Sequence, residues 1–123
     1  MSPEAPTTTA PLMVACLCAE WCGVCNAYTQ TFEALKARFP GVRFVWIDVE
    51  DEEDLIHPLE VENFPTLLIA LGHQARFFGP LRPQIETVER LIRAHLDDAD
   101  APALAHPDVA ALAARLSANA RSA

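Results

Sequence analysis

From Leu12 to Ala19 apolar residues follow one another without a polar interruption. A strand with one wet face would alternate apolar and polar side chains, so an unbroken run predicts a strand over Leu12–Cys18 that is covered on both sides, in a sheet flanked by helices. The run is less than half as long as a helix that crosses a bilayer, and no membrane span is expected. The 123 residues suffice for one domain. With 51% apolar and 21% charged residues, a wholly disordered chain is excluded. A net charge of -8 repels phosphate backbones and anionic lipid alike, which excludes nucleic acid as a partner class.

Residues 1–10, rich in Pro, Thr and Ala, read as a disordered tail. Met1-Ser2-Pro3-Glu4 opens on an acid where a secretory leader would carry bases, so a cytoplasmic chain is expected. After the first strand, Tyr28, Phe32, Leu35 and Phe39 recur at helical steps until Pro40-Gly41 stops them. Val42–Val49 reads as a second strand, parallel to the first in a right-handed βαβ unit. The acids at 50–54 suit the first turn of a short helix limited by Pro58 and are otherwise a solvated face. Thr66–Leu71 and Ala75–Phe78 predict a hairpin around Gly72-His73, with a type II′ turn. Ile85, Val88, Ile92 and Leu96 predict a core helix started by Pro83. Residues 97–107 read as a linker, and Val109, Leu112 and Leu116 as a short Ala-rich helix after an Asp108 cap, packing on its own domain. Neither terminal segment carries a motif, so 1–10 and 97–123 are expected to be dispensable for folding.

Four cysteines fall within ten positions, at 16, 18, 22 and 25. This is unlike the dispersed cysteines of a secreted disulfide scaffold and points to redox chemistry or metal. The C-x-C-x3-C-x2-C spacing lacks the two knuckles of common zinc modules, so no metal is expected. Cys16 and Cys18 share one face of a strand at about 7 Å, too far apart to bridge each other, and are expected to be buried as small apolar residues. Cys22 and Cys25 fall in the opening turn of the first helix, where their spacing brings the sulfurs within disulfide reach. The unpaired N–H groups and dipole of that turn favour a thiolate at Cys22, which makes Cys22 the nucleophile and Cys25 the resolving thiol. His57, His73, His95 and His106 are scattered and receive no catalytic role.

Ala19-Glu20-Trp21-Cys22-Gly23-Val24-Cys25, then Ile47-Asp48, then Phe64-Pro65-Thr66-Leu67-Leu68, then Gly79, follow in the order of the thioredoxin family, which the chain resembles over about residues 11–96. The resemblance implies an α/β thioredoxin fold: a central four-stranded mixed sheet, βαβ then ββα, flanked by helices. Only ten polar residues precede the first strand, so the family's extra N-terminal strand and helix are not expected. Residues 97–123 would add a linker and a short C-terminal helix. By position, Trp21, Gly23 and Val24 would support the active site. Pro65 would follow a cis peptide bond and, with Phe64, Thr66 and Gly79, form the surface that pairs with an extended substrate segment.

Three positions depart from the family's pattern. Val24 replaces the proline usual before the second cysteine, Cys16 stands where a buried aspartate is common, and Phe44 where its lysine partner would be. The resemblance implies a thiol–disulfide oxidoreductase acting through a Cys22–Cys25 redox-active disulfide with no other cofactor. Its partners would be disulfide-containing or extended-peptide proteins, with a thioredoxin reductase as the candidate reductant and the chain a monomer. The alternative is a peptide-binding or assembly module with little redox turnover.

Overall fold

The computed structural model describes residues 12–19, 23–57, 61, 65–72, 74–81, 84–97 and 102–119. Its elements are β1 (Leu12–Cys18), α1 (Gly23–Arg38), β2 (Arg43–Asp48), α2 (Glu53–Ile56), β3 (Thr66–Leu71), β4 (Gln74–Pro80), α3 (Ile85–Asp97) and α4 (Pro107–Asn119). The sheet runs β2-β1-β3-β4. β1 lies parallel to β2 and antiparallel to β3, and β3–β4 is an antiparallel hairpin. This is the four-stranded mixed sheet, βαβ then ββα, that the sequence led us to expect.

Every residue of β1 is buried, which is why its sequence shows no alternation. Leu12, Val14, Cys16 and Cys18 face a core closed by Cys25, Tyr28, Phe32 and Leu35 of α1 and by Val88 and Ile92 of α3. Met13, Ala15 and Leu17 face the other way, onto Ile47, Ile56, Leu68 and Ala70 and the α4 side chains Val109, Leu112, Ala113 and Leu116. α4 thus packs on its own domain and contributes to one of two cores, which argues against the expectation that 97–123 is dispensable for folding. Burying each of its large aliphatic side chains is worth about 1.5–3 kcal/mol. Polar ties hold the same segment: Arg115 Nε donates to the Leu55 carbonyl at 2.8 Å, and Leu104 N–H donates to the Ala75 carbonyl at 2.8 Å.

The structure departs from local expectation at three places. The hairpin pairs Leu71 with Gln74 around a two-residue turn. Gly72 takes the positive φ of 61° that either primed turn requires there; His73 lies outside the described residues, and β4 extends from Gln74 to Pro80 rather than from Ala75 to Phe78. Leu96, expected in the core, is 45% exposed. It sits in the last turn of α3, where the helix has run past its packing partners, and Leu91 packs on the core instead. α4 begins at Pro107, so Asp108 lies inside its first turn. The cap is His106, whose Nδ1 accepts the Val109 N–H at 3.4 Å and whose carbonyl accepts the Ala110 N–H at 2.9 Å. The expected tail at 1–10 and Pro58 and Pro83 fall outside the described residues. Among those described, no helix is long and apolar enough to cross a membrane.

Candidate functional site

The site forms where β1 ends and α1 begins. Cys18 is the last residue of β1, paired with Asp48 of β2, and its carbonyl accepts the Val49 N–H at 2.9 Å. Cys25 stands in the first turn of α1 on the face that packs against the sheet. The two are joined by a disulfide, with Cα atoms 5.8 Å apart, inside the usual range for such a bond. Both are buried, Cys18 to 2% and Cys25 to 1% exposure. Cys18 was expected to be a free, buried cysteine. The burial holds, but its sulfur is bonded, because residues of even number on β1 point at α1 and Cys25 points back from the helix.

Cys16, one strand step deeper, is fully buried and is the free cysteine among the described residues. Its Sγ lies 3.4 Å from Cys18 Sγ. With Cys18 in a disulfide, only Cys16 carries a hydrogen, so Cys16 donates. Burial pushes the Cys16 thiol up to about 12, so it is neutral at physiological pH. It therefore supplies no base at the position where the resemblance places a buried carboxylate. Phe44, in place of the partner lysine, is half-buried and packs edge-on against Phe32, ring centroids 5.2 Å apart. The Tyr28 hydroxyl is buried without a hydrogen-bond partner among the described residues, and burial, then the neighbouring Cys16, raises its pKa above the phenol range.

Trp21, Cys22 and Phe64 lie outside the described residues, as does the side chain of Val24. Gly23 opens α1 and is exposed, and a Cβ there would meet nothing within 4 Å. Pro65 is buried, and its carbonyl accepts the Leu81 N–H at 3.3 Å. Thr66 pairs with Leu17 on one side and Pro80 on the other, and Gly79 pairs with Leu67. One register step beyond Leu17–Thr66 come Cys18 and Pro65, so the proline and the strand-end cysteine occupy the same end of adjacent strands. Beside the disulfide, a cleft of 410 Å³ is lined by Cys18, Cys25, Asn26, Thr29, Trp46 and Asp48 among others. Trp46 is 40% exposed there, a large apolar side chain on the rim that the sequence reading did not single out. Among the described residues no cluster of three or more His, Cys, Asp or Glu could hold a metal ion.

The thioredoxin family model matches residues 7–89, more than half of the chain. The chain belongs to the thioredoxin family. Rabbit (Oryctolagus cuniculus) thioredoxin is 38% identical over 84 residues, covering 66% of this chain and 80% of that protein. Thioredoxin H2-1 of Oryza sativa subsp. japonica is 28% identical over 92 residues, covering 73% of this chain and 67% of its own. The chain spans about two thirds of the length of the plant relatives it matches. A thioredoxin crystal structure from Nicotiana alata superposes with a TM-score of 0.63 at 27% identity, covering 70% of this chain and 74% of that one. Thioredoxin-family membership, together with cysteines at disulfide distance, supports thiol–disulfide exchange as the general chemistry of this site.

Proposed function

We propose that the chain reduces or exchanges protein disulfides through a mixed disulfide on Cys22 that Cys25 resolves. The observation that carries this reading is Cys25 itself: a buried sulfur in the first turn of a helix, already engaged in a disulfide, three residues after a second cysteine. The Cys22 thiolate attacks one sulfur of the substrate disulfide and releases the other as a thiolate. Cys25 loses its proton and attacks Cys22, which releases the second substrate thiol and leaves a Cys22–Cys25 disulfide. An external dithiol reductant, of the thioredoxin reductase class, returns the chain to the dithiol state. A helix N-terminus lowers the pKa of a cysteine there, which makes Cys22 the attacking thiol. The surface around Pro65 would pair with an extended substrate segment through backbone hydrogen bonds. Such a cycle needs a reducing compartment, which fits a cytoplasmic, monomeric protein.

One observation favours a second reading. Cys18 holds the sulfur that should resolve Cys22, which would suit a peptide-binding module with little turnover. Insulin reduction, driven first by dithiothreitol and then by a thioredoxin reductase, separates the two. The oxidoreductase reading expects turnover that Cys22→Ser abolishes. Absence of turnover with retained peptide binding would favour the module, and unchanged turnover in Cys22→Ser would remove Cys22 from the mechanism.

A further inference from the structure

We propose that Cys18 is a third redox thiol of this chain, one that exchanges onto Cys25 from the sheet side and stores the oxidising equivalents as a buried Cys18–Cys25 disulfide while Cys22 is returned to the thiol state. The inference rests on the roles given to Cys22 and Cys25 above and adds a partner to them.

Cys25 has one partner in the fold and a second candidate in the sequence. Cys22 precedes it by three residues in the same chain segment, and Cys18 faces it from the end of β1 with a Cα–Cα separation of 5.8 Å. Cys18 is held there by its register opposite Asp48 and by the bond from Val49 to its carbonyl. That separation lies inside the usual range for a disulfide. The exchange balances within the protein. The Cys18 thiolate attacks Cys25 Sγ, the Cys18–Cys25 bond forms as the Cys22–Cys25 bond breaks, and Cys22 leaves as a thiolate that takes up the proton Cys18 lost. No electrons enter or leave, because both forms are two-electron oxidised and the substrate disulfide was the oxidant.

Burial decides what the exchange achieves. With Cys18 and Cys25 at 2% and 1% exposure, a thiol in solution reaches either sulfur far less readily than an exposed one, and thiol–disulfide exchange requires access to the attacked sulfur. The stored bond therefore reopens through Cys22, by the reverse of the step that made it. Cys16, donating to Cys18 Sγ at 3.4 Å, stabilises Cys18 as the leaving thiolate in that reverse step. Cys16 does not itself join the exchange and stays the free thiol. Oxidation thus gives a chain whose nucleophile is free while its resolving thiol is occupied.

The test maps disulfides in the full chain without any substitution. The reduced protein is oxidised with one equivalent of glutathione disulfide, quenched in acid, blocked with N-ethylmaleimide, digested with pepsin at low pH and read by tandem mass spectrometry. The proposal expects a Cys18–Cys25 linked peptide with Cys22 blocked. In Cys18→Ser the linkage should shift to Cys22–Cys25, with loss of blocking at Cys22. A parent map showing only Cys22–Cys25, with Cys18 blocked only after denaturation, overturns the proposal, and the parent map suffices if Cys18→Ser does not fold. Insulin reduction by Cys22→Ser distinguishes the failures. If that variant is inactive while the parent map shows only Cys22–Cys25, the role of Cys18 is wrong and the oxidoreductase reading stands. If that variant keeps full activity, the role of Cys22 is wrong, and with it the exchange proposed here.

Discussion

The two faces of β1 differ in kind. Its even-numbered residues present two sulfurs, Cys16 and Cys18, to α1, where Cys25 completes the cluster. Its odd-numbered residues, Met13, Ala15 and Leu17, meet the aliphatic stripe of α4. Strand alternation alone sorts them, because successive side chains point to opposite sides. One seven-residue strand therefore carries reactive sulfur on one side and a close-packed aliphatic layer on the other. Redox chemistry needs groups whose bonds change, whereas a stabilising core needs groups that do nothing but pack. The separation lets substitutions on one face leave the other's task largely intact.

The sharpest way to break this comparison is to remove the packing face. Ending the chain before Pro107 uncovers Val109, Leu112 and Leu116 together with the sheet residues beneath them. The expected loss is roughly 5–9 kcal/mol from those three side chains, comparable to the roughly 5–15 kcal/mol of a whole domain. Urea melts should show no cooperative transition, or one at a much lower midpoint. Leu112→Ala should cost about 2–5 kcal/mol while leaving disulfide reduction by the folded fraction unchanged.

Cys16→Asp moves the other face in both respects. It places a carboxyl at a fully buried position, at a cost of at least about 1–3 kcal/mol for an unpaired buried polar group. It also supplies the base that a neutral thiol does not, so resolution of the mixed disulfide near pH 7 should rise toward about 10²-fold, the low end of general-base assistance. Denaturant melts and stopped-flow reduction of a model disulfide measure the two effects. A variant that resolves no faster than the parent would show that Cys16 does not lie in the proton path.

A smaller effect is expected in alkali. Burial lifts the Cys16 thiol from an ordinary 9.0 to about 12, so between those values the folded chain keeps a proton that the unfolded chain has lost. Stability from this group is fully present below pH 9 and is lost as pH rises from 9 through 12, by at most about 1.4 kcal/mol per pH unit. Urea midpoints of the parent and Cys16→Ala should therefore change relative to one another between pH 9 and 10.5, the parent losing about 2 kcal/mol more. Parallel curves would mean that Cys16 ionises in the folded protein as easily as in the unfolded one.

Much of this architecture was legible in the chain because it depends on local periodicity. An unbroken apolar run gave the doubly covered strand, the steps from Tyr28 to Phe39 gave α1, and Gly72 gave the hairpin turn. What escaped depends on which side chains meet. Pairing cysteines by C-x-x-C spacing considers one helix only, so the partner that Cys25 finds across a strand end was not visible. The parity of Cys16 and Cys18, which sets both on the α1 face, was the available signal. The cap of α4 was assigned to Asp108 by residue preference, although Pro107 is suited to a first helical position and so marks His106 as the residue before it. Leu96 continued a period that the end of the helix cuts off from any partner.

The central claim is that a substrate disulfide is opened by covalent attachment to Cys22, and the most direct measurement is to trap that species. Cys25→Ser removes the resolving thiol, so the reduced variant incubated with insulin and quenched in acid should hold one insulin chain in disulfide linkage to Cys22, as peptide mapping would show. An adduct on Cys16 or Cys18, or no adduct while the parent still reduces insulin, would contradict the account.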